Sequence, residues 1–177
     1  MLYALFSVLS LALLALDQWV KSWTTAHFAP PVPPSLYATA DPPLPFLPGI
    51  LELTRVHNYG AAWSSFSGQR WLLVGLTSLI LLAVLAILLR RTVRHPLGVL
   101  AGCLILSGGL GNIIDRVRLG YVVDMFHFQF WPSYPVFNVA DICVVVGGIA
   151  AGIYYLFLMD KLEPREEDPH DGAGADR

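Results

Sequence analysis

The sequence predicts an all-α polytopic membrane protein with four transmembrane helices and a small β-sheet element lying on the outer membrane face. The first observation is composition, since 55% of the 177 residues are hydrophobic and only 14% are charged, with a mean hydropathy of +0.59. The second is that the apolar residues come in long blocks, four of which reach the roughly 20 residues that a helix needs to cross a bilayer. The third is that two connections alternate between apolar and polar residues, as strands do. A soluble domain of average composition does not fit these observations.

The four apolar segments are the predicted spans, at about residues 2–23, 71–89, 97–114 and 139–159. The first segment carries no charge as far as Leu16, and the second and third carry none at all. No basic residue precedes the first segment and no small-residue cleavage site follows Leu16, so we expect it to stay as a helix rather than to be removed as a signal peptide. We therefore predict a single four-helix domain over residues 1–159 and a disordered cytoplasmic tail over residues 160–177.

The charges of the connections predict the orientation in the membrane. Arg90, Arg91 and Arg94 lie in the short connection between the second and third spans, and clustered arginines mark cytoplasmic loops. Both termini are then cytoplasmic, and the loops over residues 24–70 and 117–137 lie outside.

The two outer loops are predicted to form the small sheet. Residues 50–57 alternate and are rich in strand formers, residues 58–60 have a turn composition, and residues 121–130 alternate in part and are suited to pair with the first strand. Residues 30–48 hold eight of the thirteen prolines and are expected to be extended and irregular. Two glycine pairs have the four-residue spacing of closely packed membrane helices, namely Gly98 with Gly102 and Gly148 with Gly152.

Two aspartates lie beside apolar segments. Asp124 is in the second outer loop and Asp141 is at the outer end of the fourth span. Carboxylates near hydrocarbon are costly to keep and indicate function, and these two lie at one membrane face, close enough in depth to converge. Two carboxylates in one site hold one proton between them, because each charge raises the pKa of the other. The ionised member can take a proton from a water that attacks a carbonyl, while the protonated member hydrogen-bonds to the carbonyl oxygen.

Other polar residues collect at the same depth. Asp17 and Lys21 are four residues apart on one helix face and can neutralise each other, which favours a structural role. Asn138, three residues before the second aspartate, is typical of a helix N-cap, and capping can coexist with catalysis. Arg116 can anchor in lipid head groups or belong to the site, either by pairing with Asp115 or by shaping the field of the carboxylates.

Other kinds of chemistry lack their residues. The five histidines are dispersed and no His-Glu-x-x-His motif occurs, so we expect neither a metal nor another cofactor. The serines lie in no Gly-x-Ser-x-Gly setting, and no basic face indicates a nucleic-acid partner. The alternative is a small transporter or proton-coupled channel with Asp124 and Asp141 as its relay. A relay would distribute its carboxylates across the membrane, which weighs against that alternative.

Five blocks of residues resemble, in order and spacing, the lipoprotein signal peptidases, the bacterial signal peptidase II family. The resemblance covers residues from about 10 to 158. One departure is Trp63, which stands where phenylalanine is expected, and another is Met125, which stands where phenylalanine or another large apolar residue is expected. The first outer loop, with residues 30–48, is also longer than expected. The blocks are Asp17-x-x-x-Lys21, Asn58-x-Gly60-Ala-Ala, Gly108-Gly-x-Gly111-Asn112-x-x-Asp115-Arg116, Gly120-x-Val-Val-Asp124 and Phe137-Asn138-x-Ala140-Asp141.

The resemblance implies a four-span aspartic protease of the bacterial inner membrane. Such an enzyme removes the signal peptide of diacylglyceryl-modified prolipoproteins by cutting before the lipidated cysteine, and its catalytic pair falls on Asp124 and Asp141. Where the residues alone leave capping or turn roles open, the resemblance favours substrate binding or support of the pair for Asn58, Gly60, Asn112, Arg116, Asn138 and Ala140. Asp17, Lys21 and Asp115 are expected to be structural or supporting. The expected partners are the prolipoproteins and membrane lipids, and we expect a monomer because one chain supplies both aspartates.

Overall fold

The computed structural model describes residues 1–32 and 38–158, which form four long helices and a three-stranded antiparallel sheet. The helices are α1 (Leu2–His27), α2 (Arg70–Leu89), α3 (Pro96–Leu119) and α4 (Val139–Ile153), and the strands are β1 (Leu44–Leu47), β2 (Leu51–Asn58) and β3 (Val122–Phe128). A 3-10 turn at Ala62–Ser64 precedes α2, and a π-helical turn at Tyr154–Leu158 continues α4.

All four helices are long and apolar enough to cross a membrane, α4 together with the π-helical turn that continues it to Leu158. Helix α3 is central and packs against α1, α2 and α4, whereas α2 exposes a row of large apolar side chains that includes Leu72, Leu76 and Leu79. Apolar surface of this extent faces lipid or a partner rather than water. The predicted class, a four-helix membrane protein with a small sheet, is confirmed.

Two helices extend beyond the predicted spans. Helix α1 continues to His27 and α3 continues to Leu119, so the second outer connection starts later than residue 117. The extra turn of α3 carries Asp115 and Arg116, and both side chains are buried. Hydropathy places the end of a predicted span at the first charged residues. The helix itself continues past them here, because the charged side chains find partners inside the protein. The predicted tail over residues 160–177 lies outside the described residues.

Glycines bring the helices close together, although not at all the predicted positions. A side chain at Gly108 would collide with the backbone carbonyl of Ala140 on α4, and one at Gly147 would lie 3.0 Å from the carbonyl of Ala101 on α3. Gly98 and Gly102 do face neighbouring side chains, as predicted. The prediction for Gly148 and Gly152 is wrong within the described part of the chain, because no neighbouring atom there lies within 4 Å of where their side chains would be. A four-residue spacing indicates a common helix face without indicating which face meets a neighbour.

The sheet lies at the end of the bundle where α1 and α3 end and where α2 and α4 begin. Its strand order is β1-β2-β3, and the predicted pairing of the two outer loops is confirmed by the antiparallel ladder between β2 and β3. The proline-rich stretch is more regular than predicted, because Leu44–Leu47 forms β1. This strand is at the edge of the sheet, where a proline such as Pro45 is tolerated. Residues 33–37 lie outside the described residues.

Two helix caps direct the chain into the site. Gly120 ends α3 in the left-handed region with φ of 91°, a conformation that suits glycine, and β3 begins two residues later. Asn138 caps α4, since its side-chain oxygen accepts a hydrogen bond from the backbone N–H of Asp141 at 2.8 Å. The Asp141 carboxylate in turn accepts from the backbone N–H of Asn138 at 3.1 Å. This reciprocal capping box fixes the start of α4.

Candidate active site

Asp124 lies on β3 with only 1% of its surface exposed. Both of its carboxylate oxygens accept hydrogen bonds from amide side chains. The Asn58 Nδ2 donates to Oδ2 at 3.0 Å, and the Asn138 Nδ2 donates to Oδ1 at 2.6 Å. A buried carboxylate therefore has donors from β2 and from the N-cap of α4, which offset part of its desolvation.

Asp141 lies in the first turn of α4, where the helix dipole favours a negative charge. Its Oδ1 accepts from the Nδ2 of Asn112 on α3 at 2.8 Å, and its Oδ2 takes part in the capping box. The two aspartates are joined through amides, because Asn138 Nδ2 also donates to Asn112 Oδ1 at 3.1 Å. The convergence that membrane depth predicted for Asp124 and Asp141 is present in the structure.

Burial raises the pKa of Asp124 to about 8, and the negative charge of Asp141 contributes further. The hydrogen bonds from Asn58 and Asn138 act in the opposite direction, as does the charge of Lys21, but they are the smaller influences. A carboxyl with such a pKa holds a proton at neutral pH. Because the two aspartates interact, the proton belongs to the pair rather than to one residue.

A buried network of ion pairs between α1 and α3 supports the site. The Lys21 ammonium contacts Asp17 Oδ2 at 2.9 Å and Asp115 Oδ2 at 3.0 Å, and donates to Asn112 Oδ1 at 3.1 Å. All three ammonium hydrogens therefore have acceptors. The pairing of Asp115 with Arg116 that the sequence left open does not form, because Lys21 reaches Asp115 from α1.

The same network holds the backbone next to each aspartate. Asp17 Oδ1 accepts from the backbone N–H of Ala140 at 2.9 Å, and Asp115 Oδ2 accepts from the backbone N–H of Val123 at 3.1 Å. Sequence reasoning missed Gln18, whose Nε2 donates to Asp115 Oδ1 at 3.2 Å and to Asp17 Oδ2 at 3.1 Å. The sequence signal for Gln18 was a polar residue in an apolar helix, next to Asp17 and three residues before Lys21, a spacing that makes it a neighbour of Lys21 on the helix surface.

Arg116 is buried, with 9% of its surface exposed. Its Nη2 donates to the backbone carbonyl of Gly60 at 2.7 Å, and its Nη1 donates to the carbonyl of Asn112 at 3.4 Å. The guanidinium thereby ties the turn that follows β2 to α3. This burial disfavours the alternative of Arg116 as a head-group anchor, since a snorkelling arginine would expose its charged end.

A cavity of about 400 Å³ opens beside the two aspartates, and both line it. Its polar end also includes Asn58, Asn112 and Arg116, whereas its walls are apolar side chains of α2, α3 and α4. A second cavity of about 150 Å³ also reaches Asp141, lined by Phe128, Tyr134, Phe137, Ile142, Val145 and Val146. The carboxylates thus lie where a polar backbone and an apolar ligand could be held together.

Within residues 1–32 and 38–158, no three histidine, cysteine, aspartate or glutamate side chains are grouped so that they could hold a metal ion. Two interacting carboxylates that line one cavity with apolar walls, in a bundle of four helices long enough to cross a membrane, are the arrangement expected of a membrane-embedded aspartic protease.

The chain belongs to the signal peptidase II family, since the family model described as signal peptidase (SPase) II matches residues 9–157. A lipoprotein signal peptidase from Enterococcus faecalis is 36% identical over 168 residues, which cover 93% of this chain and 94% of that protein. One from Clostridium acetobutylicum is 42% identical over 120 residues, or 67% of this chain and 78% of that protein. A solved bacterial membrane enzyme, determined by the in meso method at 2.3 Å resolution, matches with a TM-score of 0.72 and 27% identity over 94% of this chain and 93% of its own.

Proposed function

We propose that this protein is a membrane aspartic endopeptidase that removes the signal peptide of diacylglyceryl-modified prolipoproteins, cutting before the lipidated cysteine. Family membership over residues 9–157 supports the reaction, and the relatives carry the name lipoprotein signal peptidase. The single structural observation that carries the proposal is the convergence of Asp124 and Asp141 on one cavity.

The catalytic step follows from one proton shared by two carboxyl groups. The ionised carboxylate takes a proton from water as the water oxygen attacks the scissile carbonyl, and the protonated carboxyl gives a hydrogen bond and then its proton to the carbonyl oxygen. When the tetrahedral intermediate collapses, the C–N bond breaks and the nitrogen of the lipidated cysteine takes a proton from the protonated carboxyl. A hydroxyl of the intermediate gives its proton to the other carboxylate as the new carbonyl forms. Atoms and charge balance without a covalent enzyme intermediate, and the pair returns to its starting state of one proton.

The supporting residues have separate roles in this proposal. Asn58, Asn112 and Asn138 orient the two carboxylates through the hydrogen bonds described above. Arg116 contributes a positive charge at the polar end of the cavity and fixes Gly60 next to it. The backbone of Ala140, held by Asp17, sets the position of the turn that carries Asp141. Lys21 and Asp115 complete the ion-pair network and act structurally.

We place the site at the outer face of a bacterial cytoplasmic membrane, with both termini inside. The support is the short connection that contains Arg90, Arg91 and Arg94, which lies at the end of the bundle opposite the aspartates. The diacylglyceryl chains of the substrate would lie along apolar helix surface, next to membrane lipids. A monomer suffices, because one chain supplies both carboxylates. The transporter alternative has no support from the proteins that this chain resembles.

The proposal is tested with the purified protein in detergent and one prolipoprotein in two forms, with and without the diacylglyceryl group on the cysteine. The expected result is efficient cleavage of the lipidated form and cleavage of the unmodified form slower by at least about 100-fold, since an unlipidated precursor forgoes the apolar contacts that place the peptide bond. Equal processing of both forms would contradict the proposed substrate class, and no cleavage of either would contradict the peptidase itself.

A further inference from the structure

Arg55 on β2 joins the sheet to the end of helix α1. Only 7% of its surface is exposed. Its Nη1 donates to the backbone carbonyl of Phe28 at 2.8 Å and to that of Thr25 at 3.3 Å. Carbonyl groups at the end of a helix lack intrahelical partners, and a cation there also complements the helix dipole. Arg55 thus holds β2 against the end of α1.

The third interaction of Arg55 is with a histidine on the same strand. Its Nε donates to Nε2 of His57 at 3.1 Å, so Nε2 is an acceptor and the imidazole is neutral with its proton on Nδ1. In agreement, burial and the charge of Arg55 lower the pKa of His57 to about 4. The imidazole also stacks on the ring of Tyr121, with 3.8 Å between ring centroids and 16° between planes.

The other face of the same strand carries the active-site contact. Side chains alternate along a strand, so Asn58 points away from the face of Arg55 and His57. In the ladder between β2 and β3, His57 pairs with Val123 and Val56 pairs with Asp124. The cavity lining includes Asn58 and Asp124 but not Arg55, His57 or Tyr121.

We propose that Arg55 and His57 are positioning residues, which fix β2 between the end of α1 and Tyr121 and so hold the Asn58 amide against Asp124. This inference rests on the proposed function for its kinetic consequence. Because neither side chain lines the cavity, the two residues act on the orientation of Asp124 and not on substrate binding. Without an acceptor at position 57, the buried Nε–H of Arg55 lacks a partner, and the strand shifts to give it one.

The kinetic test compares His57→Leu with His57→Gln, using the lipidated prolipoprotein as substrate. Glutamine restores a side-chain acceptor for Arg55, whereas leucine does not. We expect kcat to fall about tenfold in His57→Leu with KM within twofold of wild type, and we expect His57→Gln to keep at least half of the wild-type kcat. Thr54→Val, on the same strand, is the matched control and should leave both constants unchanged. A loss confined to KM, or equal loss in both His57 variants, would overturn the inference.

A second measurement does not depend on catalysis. Backbone amide hydrogen exchange over residues 55–60 and 122–125 should be at least about fivefold faster in His57→Leu than in wild type, while exchange in α2 stays the same. His57→Gln and Thr54→Val should match the wild type. If the wild-type protein cleaved no lipidated precursor, the proposed function would fail while the exchange rates still decided the positioning role. Equal exchange in His57→Leu and wild type would overturn that role.

Discussion

Three asparagines orient the two aspartates, and each has its amide direction fixed by a second contact. The side-chain oxygen of Asn58 accepts from the backbone N–H of Gly60 at 2.9 Å, that of Asn112 accepts from Lys21 at 3.1 Å, and that of Asn138 accepts from the backbone N–H at the start of α4. With its oxygen occupied, each amide can only turn its NH₂ group toward a carboxylate. Capping and turn formation, which the sequence offered as alternatives to a site role, are therefore the means by which these residues serve the site.

The shared proton predicts how the rate depends on pH. The pKa of Asp124 is raised to about 8 by burial and by Asp141, so the pair keeps its proton below this pH and loses it above. We expect kcat/KM for the lipidated substrate to fall above pH 8 by about tenfold per pH unit, because the doubly ionised pair of the free enzyme has no proton for the carbonyl oxygen. The measurement is kcat/KM in detergent from pH 6 to about 10, and a kcat/KM that did not change across this range would argue against a shared proton.

Sequence reasoning singled out most of the polar residues that the structure brings together around the cavity, but not all. The five blocks pointed to both aspartates and all three asparagines, because these residues recur at fixed local spacings. The sequence predicts only that Arg55 and His57 belong to a strand. It does not predict their contacts, because their partners Phe28 and Tyr121 come from distant parts of the chain. A strand pattern indicates which side chains share a face, but not what packs against that face.

At the scale of elements, close packing of α3 on α4 sets the position of Asp141. The helices meet at Gly108, where even a methyl group would collide with the carbonyl of Ala140, the residue before Asp141. The four spans and the N-cap of α4 could be predicted from hydropathy and from Asn138, whereas the last turns of α1 and α3 could not. The packing faces could not be predicted either, because Gly98 with Gly102 has the same spacing as Gly148 with Gly152, which faces no neighbour within the described residues.

Alanine substitutions of two glycines should therefore have different effects. Gly108→Ala should lower the free energy of unfolding by about 1–3 kcal/mol, because the methyl group forces α3 and α4 apart, and it should also reduce cleavage. Gly148→Ala is the control and should leave Tm unchanged or raise it slightly, since alanine favours helix and no other atom of the described residues lies within 4 Å of the added methyl group. Thermal unfolding in detergent measures both variants. If both lowered Tm equally, the described contact between α3 and α4 would be wrong.

At the scale of the whole molecule, the polar network, the sheet and both cavities lie at one end of the bundle, while the arginine-containing connection lies at the other. Composition and loop charge were enough to predict this asymmetry, because apolar span length and the positive-inside rule are properties of segments. They were not enough to predict the ion-pair network of Lys21, which depends on how three helices meet.

The proposed orientation can be checked by labelling single cysteines. Ser67 lies in the connection before α2, and Ser67→Cys should react with a membrane-impermeant maleimide added outside intact cells. Thr92 lies in the arginine-containing connection, and Thr92→Cys should react only after the membrane is opened. This variant keeps the three arginines in place. The native Cys103 and Cys143 are buried and provide little background. The opposite labelling pattern would place the aspartates at the cytoplasmic face.

The most direct test of the catalytic pair is the rate at which Asp124→Asn and Asp141→Asn cleave a diacylglyceryl-modified prolipoprotein. The rates are compared with those of the wild type and of Arg118→Gln, a control at an exposed position. Asparagine keeps the size of the side chain but can neither take the proton from water nor share one with its neighbour. We expect each aspartate variant to fold and to lose at least about 1,000-fold in rate, as members of a catalytic unit do, with the control unchanged. Cleavage by either aspartate variant within tenfold of the wild-type rate would contradict a catalytic pair formed by Asp124 and Asp141.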